Sequence, residues 1–292
     1  MQKITYINLY HETIVFGWEE PLILAGVTGL SRSNGKLITS QGAYQNGQTI
    51  HRAQLEARKV QVTFNVYGCA SREAMYRQRQ RIEHILAYNR CVRDGRCGQL
   101  IYENDAGAWI VNAVPSTSIV YGKRFLNYLP NCRLTFETTS AYLKTRQASS
   151  AVLQIGSGGF SLPTRLPIRM GTRRFEGELR NEGAADAPVQ ITIDGTGETP
   201  KLVNHTTGAQ IIVRQVIANG EKLVIDTEPD ALSCVLIGAD GGTTDAFGYL
   251  DADTALSEFV LQPGTNRVEY IPSVASVGSK VTLQWHSMYE GV

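Results

Sequence analysis

The residues best suited to chemistry fall into small groups, and each group lacks a member that its chemistry requires. Asp240, Asp245, Asp251 and Asp253 crowd a Gly- and Thr-rich stretch with enough carboxylate oxygen for a hard cation such as calcium. Their spacing lacks the Asp-x-Asp-x-Asp-Gly register and the closing Glu of a calcium loop, so a solvated turn is the expectation. Cys91 and Cys97, with His84 upstream, are zinc donors by type. The five residues between the cysteines match no short Cys-x-x-Cys pair, and no second ligand pair follows. Ser157 lies in Gly156-Ser157-Gly158, outside any Gly-x-Ser-x-Gly elbow between strand and helix. The run Gly156 to Gly159 also lacks the Lys-Ser/Thr of a phosphate loop. No spacing singles out two carboxylates that would face each other across a sugar. No catalytic residue, cofactor-binding residue or metal ligand is assigned.

Binding chemistry has two candidate groups. Phe247, Tyr249 and Trp285 could stack on the apolar face of a sugar ring. The competing reading places Phe247 and Trp285 in a core between sheets, where large strand aromatics usually go. Arg72, Arg77, Arg79 and Arg81 concentrate positive charge in one short segment. Glu73 and Glu83 are interspersed and no nucleic-acid-reading motif accompanies them, so a solvated or subunit-contacting helix face is expected instead. His205 and His286 read as ordinary surface or core-edge histidines.

The elements that must carry these residues are mostly strands. Val60, Val62, Phe64 and Val66 alternate with Gln61, Thr63 and Asn65, the period of a half-buried strand. Gln99-Leu-Ile-Tyr102, Trp109-Ile-Val-Asn-Ala-Val114 and Asn131-Cys-Arg-Leu-Thr-Phe-Glu137 repeat the theme, with hairpin turn chemistry at Asn104-Asp-Ala-Gly107. One segment differs: 71–88 contains helix formers without Gly or Pro, a Ser71 N-cap and Glu73 in its first turn. Met75, Ile82, Ile85, Leu86 and Asn89 would share the face packed on the sheet.

A change of composition, rich in Ser and Gly, places a linker at 148–162 between an N-terminal domain (1–147) and a C-terminal one (163–292). Beyond it, short strands are predicted at 175–179, 189–193, 201–203, 210–213, 222–226, 233–237, 266–270 and 280–285. Turn residues punctuate them at Asn181-Glu-Gly183, Asp194-Gly195, Thr207-Gly208, Asn219-Gly220 and Pro263-Gly264. This is the pattern of a β-sandwich.

Length supports two cores, since 292 residues exceed the usual single domain. The net charge of +1 conceals a split. Residues 1–150 carry 18 Lys and Arg against 10 Asp and Glu (+8), and residues 151–292 carry 10 against 17 (−7). Copies meeting head to tail would use such opposed fields, although two surfaces can also drift apart in charge without consequence. The start, Met1-Gln2-Lys3-Ile4-Thr5-Tyr6, is no targeting signal. No apolar run approaches the roughly 20 residues of a membrane span. The five cysteines form an odd, irregular set, expected to be reduced thiols.

The order of these motifs resembles the distal tail proteins of phages with long non-contractile tails. In the N-terminal half the likeness rests on a strand, Tyr67-Gly68, the Arg-rich helix, Gly98-Gln-Leu-Ile-Tyr102 and Leu134-Thr-Phe-Glu137. In the C-terminal half it rests on Gly220-Glu-Lys-Leu-Val-Ile-Asp-Thr227, Phe259-Val-Leu-Gln-Pro-Gly-Thr-Asn266 and the final strand ending at Trp285. The resemblance implies a mainly β fold: an N-terminal split-barrel-like β domain with one helix, then a C-terminal galectin-like β-sandwich. It implies a structural, non-enzymatic part of a siphovirus or prophage baseplate, without cofactor. Its first domain would close into a homohexamer ring joining the tail tube to the tip. Implied partners are further copies of the chain, the tail tube protein, the tail-tip hub protein, the tape measure and receptor-binding components. The implied location is the virion tail tip, with assembly in the host cytoplasm. A carbohydrate-binding adhesion module acting through the sandwich is the alternative.

Overall fold

The computed structural model describes residues 1–154, 175–271 and 280–292. It divides into two units, Met1–Gln147 with Tyr289–Val292, and Ala148–Met288.

In the first unit, strands β1 (Lys3–Ile7), β2 (Thr13–Phe16), β3 (Leu22–Thr28), β4 (Gly35–Ser40), β5 (Thr49–Leu55) and β6 (Lys59–Val66) precede the helices. Helices α1 (Arg72–Ile85) and α2 (Tyr88–Cys91) follow, then β7 (Val92–Arg93), β8 (Arg96–Cys97), β9 (Gln99–Asn104), β10 (Gly107–Pro115), β11 (Leu129–Thr138) and β12 (Leu143–Thr145). The main sheet runs β2-β1-β9-β10-β11-β6-β3. A bridge from Gly17 to Ile23 brings its two ends together, as in a split barrel. Period-two alternation builds its core. Val60, Val62, Phe64 and Val66 are fully buried and register with β11, where Cys132, Leu134 and Phe136 are buried too.

Helix α1 seals this core with Met75, Ile82 and Ile85, and the Ser71 hydroxyl accepts from the Ala74 N–H as the expected N-cap. The helix ends earlier than the sequence pattern suggests. The Asn8 side-chain amide donates to the Ile85 carbonyl at 3.1 Å, and the Cys91 thiol also reaches that carbonyl. Ala87 is extended, and α2 starts a separate turn. Asn89 therefore leaves the buried face and is exposed, while Leu86 stays buried. A C-terminal cap supplied by a residue far away in sequence outranks local helix propensity here.

In the second unit the elements are β13 (Ser149–Gln154), β14 (Phe175–Asn181), β15 (Ala187–Asp194), β16 (Gly197–Glu198), β17 (Lys201–Asn204), β18 (Gln210–Ile212) and β19 (Val216–Ile217). They continue with β20 (Lys222–Asp226), β21 (Ser233–Ile237), β22 (Thr243–Asp245), β23 (Val260–Leu261), β24 (Gly264–Ile271) and β25 (Lys280–Trp285); β26 (Met288–Tyr289) then enters the first unit's sheet, pairing with β12. One sheet runs β13-β25-β15-β20-β21-β22 and the other β14-β24-β17-β18. Ile191, Ile225 and Leu283 from the first sheet share a buried core with Leu179, Leu202 and Val268 from the second, which makes the unit a β-sandwich. Within the 148–162 stretch read as linker, Ser149–Gln154 is a strand paired with β25, and 155–162 lie outside the described residues.

The stretch Phe259 to Asn266 is held by buried asparagines. Asn266 donates to the Gln262 carbonyl and accepts from the Gln262 N–H, closing its turn. Asn181 and Asn204 donate to the carbonyls of Leu261 and Val260. Each side chain satisfies backbone groups that a sheet ladder leaves unpaired, which accounts for polar residues in an apolar core.

Candidate functional site

The sequence motifs considered for catalysis do not converge. Asp240, Asp245 and Asp251 each accept a backbone N–H two residues on, from Gly242, Phe247 and Asp253. These are local turns; the Asp253 N–H, and after it the Arg214 guanidinium, hold the Asp251 carboxyl below the usual carboxylate range. His205 sits 2.8 Å from the Glu269 carboxylate on the surface. Among the described residues, no group of three or more His, Cys, Asp and Glu side chains could hold a metal ion. No described helix is long and apolar enough to cross a membrane. The Ser157 and Gly156–Gly159 motifs lie outside the described residues.

All five cysteines are free thiols. Cys91, Cys132 and Cys234 are fully buried, and burial pushes their thiols up, that of Cys234 to about 11. Cys97 alone is partly exposed, and burial raises it as well. An aromatic disulfide reagent at pH 8 is therefore expected to label Cys97 first and Cys91, Cys132 and Cys234 only after denaturation. Rapid labelling of all five in the native protein would contradict this burial.

The aromatic candidates separate. Phe247 and Tyr249 stand on a one-turn 3-10 helix and are 45% and 49% exposed. Trp285 is 5% exposed and belongs to the sandwich core at the end of β25. The candidate arginines are all exposed on α1. Arg77 pairs with Glu73 one turn earlier, and the Arg79 guanidinium lies 4.2 Å over the Tyr121 ring.

The structure exposes two surfaces that sequence reasoning missed. The first is the β4–β5 hairpin, whose β4 residues are all exposed and whose β5 residues are exposed except for the half-buried Leu55. Its register pairs Leu37 with Ala53, Gly35 with Leu55 and, past a bulge at His51, Thr39 with Ile50. Cross-strand partners share a face, so Leu37, Ile50, Ala53 and Leu55 form one apolar side. Lys36, Gln54, Ile38 and Arg52 occupy the other. The second surface is a cleft of about 390 Å³ between β1, β2, the following turn and α1. Ile82 and Ile85 lie at its base, with Val15 42% and Trp18 64% exposed at its mouth.

A buried cation organises the first unit. Arg58, 3% exposed, donates to the carbonyls of Gly29, Leu30, Ser31, Ala141 and Glu290. A Cβ on Gly29, at φ +89°, would overlap the Lys59 carbonyl, so glycine is what lets this backbone close around the guanidinium. The Val292 N–H bonds to the Leu30 carbonyl and Tyr289 meets Trp109 edge to face, so the last residues of the chain complete this unit.

The chain is mainly β, with a helix-capped split barrel in one unit and a sandwich in the other. Residues 182–289 match the family model for the C-terminal domain of siphovirus-type tail components. That match and the shared fold show the resemblance to phage distal tail proteins drawn from the order of motifs. The fold is similar to that of phage SPP1 Dit, described as a paradigm of the hub adsorption apparatus in phages infecting Gram-positive bacteria. Identity is 11%, the alignment covers 98% of each chain, and the TM-score is 0.68. A chain of the phage p2 baseplate, in its activated conformation with Sr, is 12% identical with full coverage of both chains and a TM-score of 0.55. No curated protein matches the chain.

Proposed function

We propose that the chain is a structural component of a phage or prophage tail tip, forming a closed ring, a hexamer, that joins the tail tube to the host-adsorption apparatus. The observation that carries this reading is the correspondence over 98% of both chains with a hub protein, both units included. A second supports self-association: the β4–β5 hairpin has an apolar side that, among the described residues, stays largely exposed. An isolated two-stranded hairpin is marginally stable in water, so a partner surface is its natural complement.

In this reading the work is geometric. Contacts between different patches on successive copies close into a ring when the rotation per copy divides a full turn, and closure fixes the bore. The exposed arginines Arg72, Arg77, Arg79 and Arg81 contribute charge to those contacts, and salt weakens that contribution. The tail tube protein and the tail-tip hub protein are the partners above and below, and the virion tail tip is the location. Negative-stain images of the concentrated protein are expected to show rings with a central hole. Featureless single particles at every concentration would count against it.

The sugar-binding alternative retains one supporting observation, the exposed pair Phe247 and Tyr249. Without Trp285 beside them these two rings offer a narrow platform, and the ring reading takes precedence.

A further inference from the structure

Resting on the ring reading above, we infer that the β4–β5 hairpin of one copy seats its apolar side in the β1–β2–α1 cleft of a second copy. The two surfaces complement each other in three respects. The hairpin offers Leu37, Ile50, Ala53 and Leu55 on a single side, and the cleft offers the exposed Val15 and Trp18 over the buried Ile82 and Ile85. Both are exposed within one chain, with Leu37 at 49%, Ile50 at 58% and Trp18 at 64%.

Charge is the second respect. Between Gly35 and Leu55 the ionisable side chains are Lys36, His51, Arg52 and Tyr44, with no Asp or Glu. The turn beside Trp18 carries the exposed carboxylates Glu19 and Glu20. Of the cleft's own cations, Lys3 is engaged with Glu103 at 2.9 Å and the Met1 amino group with Asp105, which leaves Arg81 on the helix wall against the two carboxylates. Backbone geometry is the third. Strand β2 stands at the end of the sheet order, and among the described residues its ladder partner is β1; the Gly17–Ile23 bridge toward β3 begins only past Phe16, so the outer edge of Thr13–Phe16 presents the donors and acceptors that an incoming strand needs. Hairpin and cleft are different patches, so the joint is heterologous and propagates head to tail until the ring closes.

Two surface variants test this. One carries Leu37→Glu with Ile50→Glu and keeps its cleft; the other carries Val15→Glu with Trp18→Glu and keeps its hairpin. All four positions are exposed, so both variants are expected to retain the wild-type circular dichroism spectrum. Each alone is expected to stay monomeric where the wild-type chain assembles. Mixed in equal amounts they are expected to form dimers and nothing larger, because one intact hairpin meets one intact cleft and no further joint can form.

A mixture that stays monomeric while the wild-type chain assembles overturns the hairpin–cleft joint and leaves the ring reading standing on other surfaces. A wild-type chain monomeric at all concentrations sinks the ring reading, and the joint with it. Should either variant misfold, hydrogen exchange on the wild-type chain decides instead. Amides of 35–55 and of 13–16 are expected to slow together, by at least about tenfold, as assembly proceeds. Unchanged exchange in either segment upon assembly overturns the joint.

Discussion

Replacing Arg58 by alanine is expected to lower the stability of the first unit by at least about 3 kcal/mol, one of the largest losses from a single substitution in this chain. The guanidinium is buried, and its donors satisfy carbonyls at Gly29, Leu30, Ser31, Ala141 and Glu290. Desolvation lowers its proton affinity, yet a guanidinium keeps its charge at any pH where the protein folds, so the contribution does not titrate away. Truncation leaves several buried acceptors unpaired, each costing about 1–3 kcal/mol before water or local rearrangement recovers part of it. Lysine restores the charge but not the planar fork, so Arg58→Lys is expected to recover less than half of the loss. Urea unfolding followed by circular dichroism measures both. A loss under about 1 kcal/mol for alanine would show that these carbonyls find other partners. Because Glu290 is among the acceptors, removal of residues 289–292 is expected to destabilise the same unit.

Trp285→Ala is expected to cost the second unit about 3–5 kcal/mol, the range for truncating a buried aromatic. Trp285 is 5% exposed, lies opposite Ser149 on β13 and Val189 on β15, and contributes to the core with Ile191 and Leu283. The outcome also separates the two readings of Trp285, core residue or sugar platform. A core tryptophan predicts a large fall in unfolding midpoint. A sugar platform predicts a stable protein that has lost glycan affinity. The cleaner comparison is with Phe247→Ala: this side chain is 45% exposed, so its loss is expected to change stability by under about 1 kcal/mol.

Much of this fold was legible because burial writes itself into periodicity. The strand Val60 to Val66 alternates strictly and is buried on alternate positions. In the sandwich the predicted strands at 189–193, 222–226, 233–237 and 280–285 fall within β15, β20, β21 and β25. What escaped has no local signature. β1 buries Ile4, Thr5 and Tyr6 in succession, so it shows no alternation. The β4–β5 hairpin is exposed on both sides, and its bulge at His51 breaks the period of β5. The end of α1 is set by Asn8, which no window around Ile85 contains.

The candidate surfaces were less legible than the fold, because which face a side chain occupies depends on register. Phe247, Tyr249 and Trp285 look alike by composition, and the 3-10 turn exposes two while β25 buries the third. Arg58 gave no sequence signal at all, since the five carbonyls that hold it come from three separate stretches of chain.

The most direct test of the account is the solution mass of the purified chain, by light scattering coupled to size exclusion across protein concentration at low and high salt. The account predicts a discrete closed oligomer whose population rises with concentration, with a mass that does not grow beyond about six copies. A strict monomer throughout would contradict it, and saturable binding to a glycan array that Phe247→Ala abolishes would then identify the chain as a sugar-binding module.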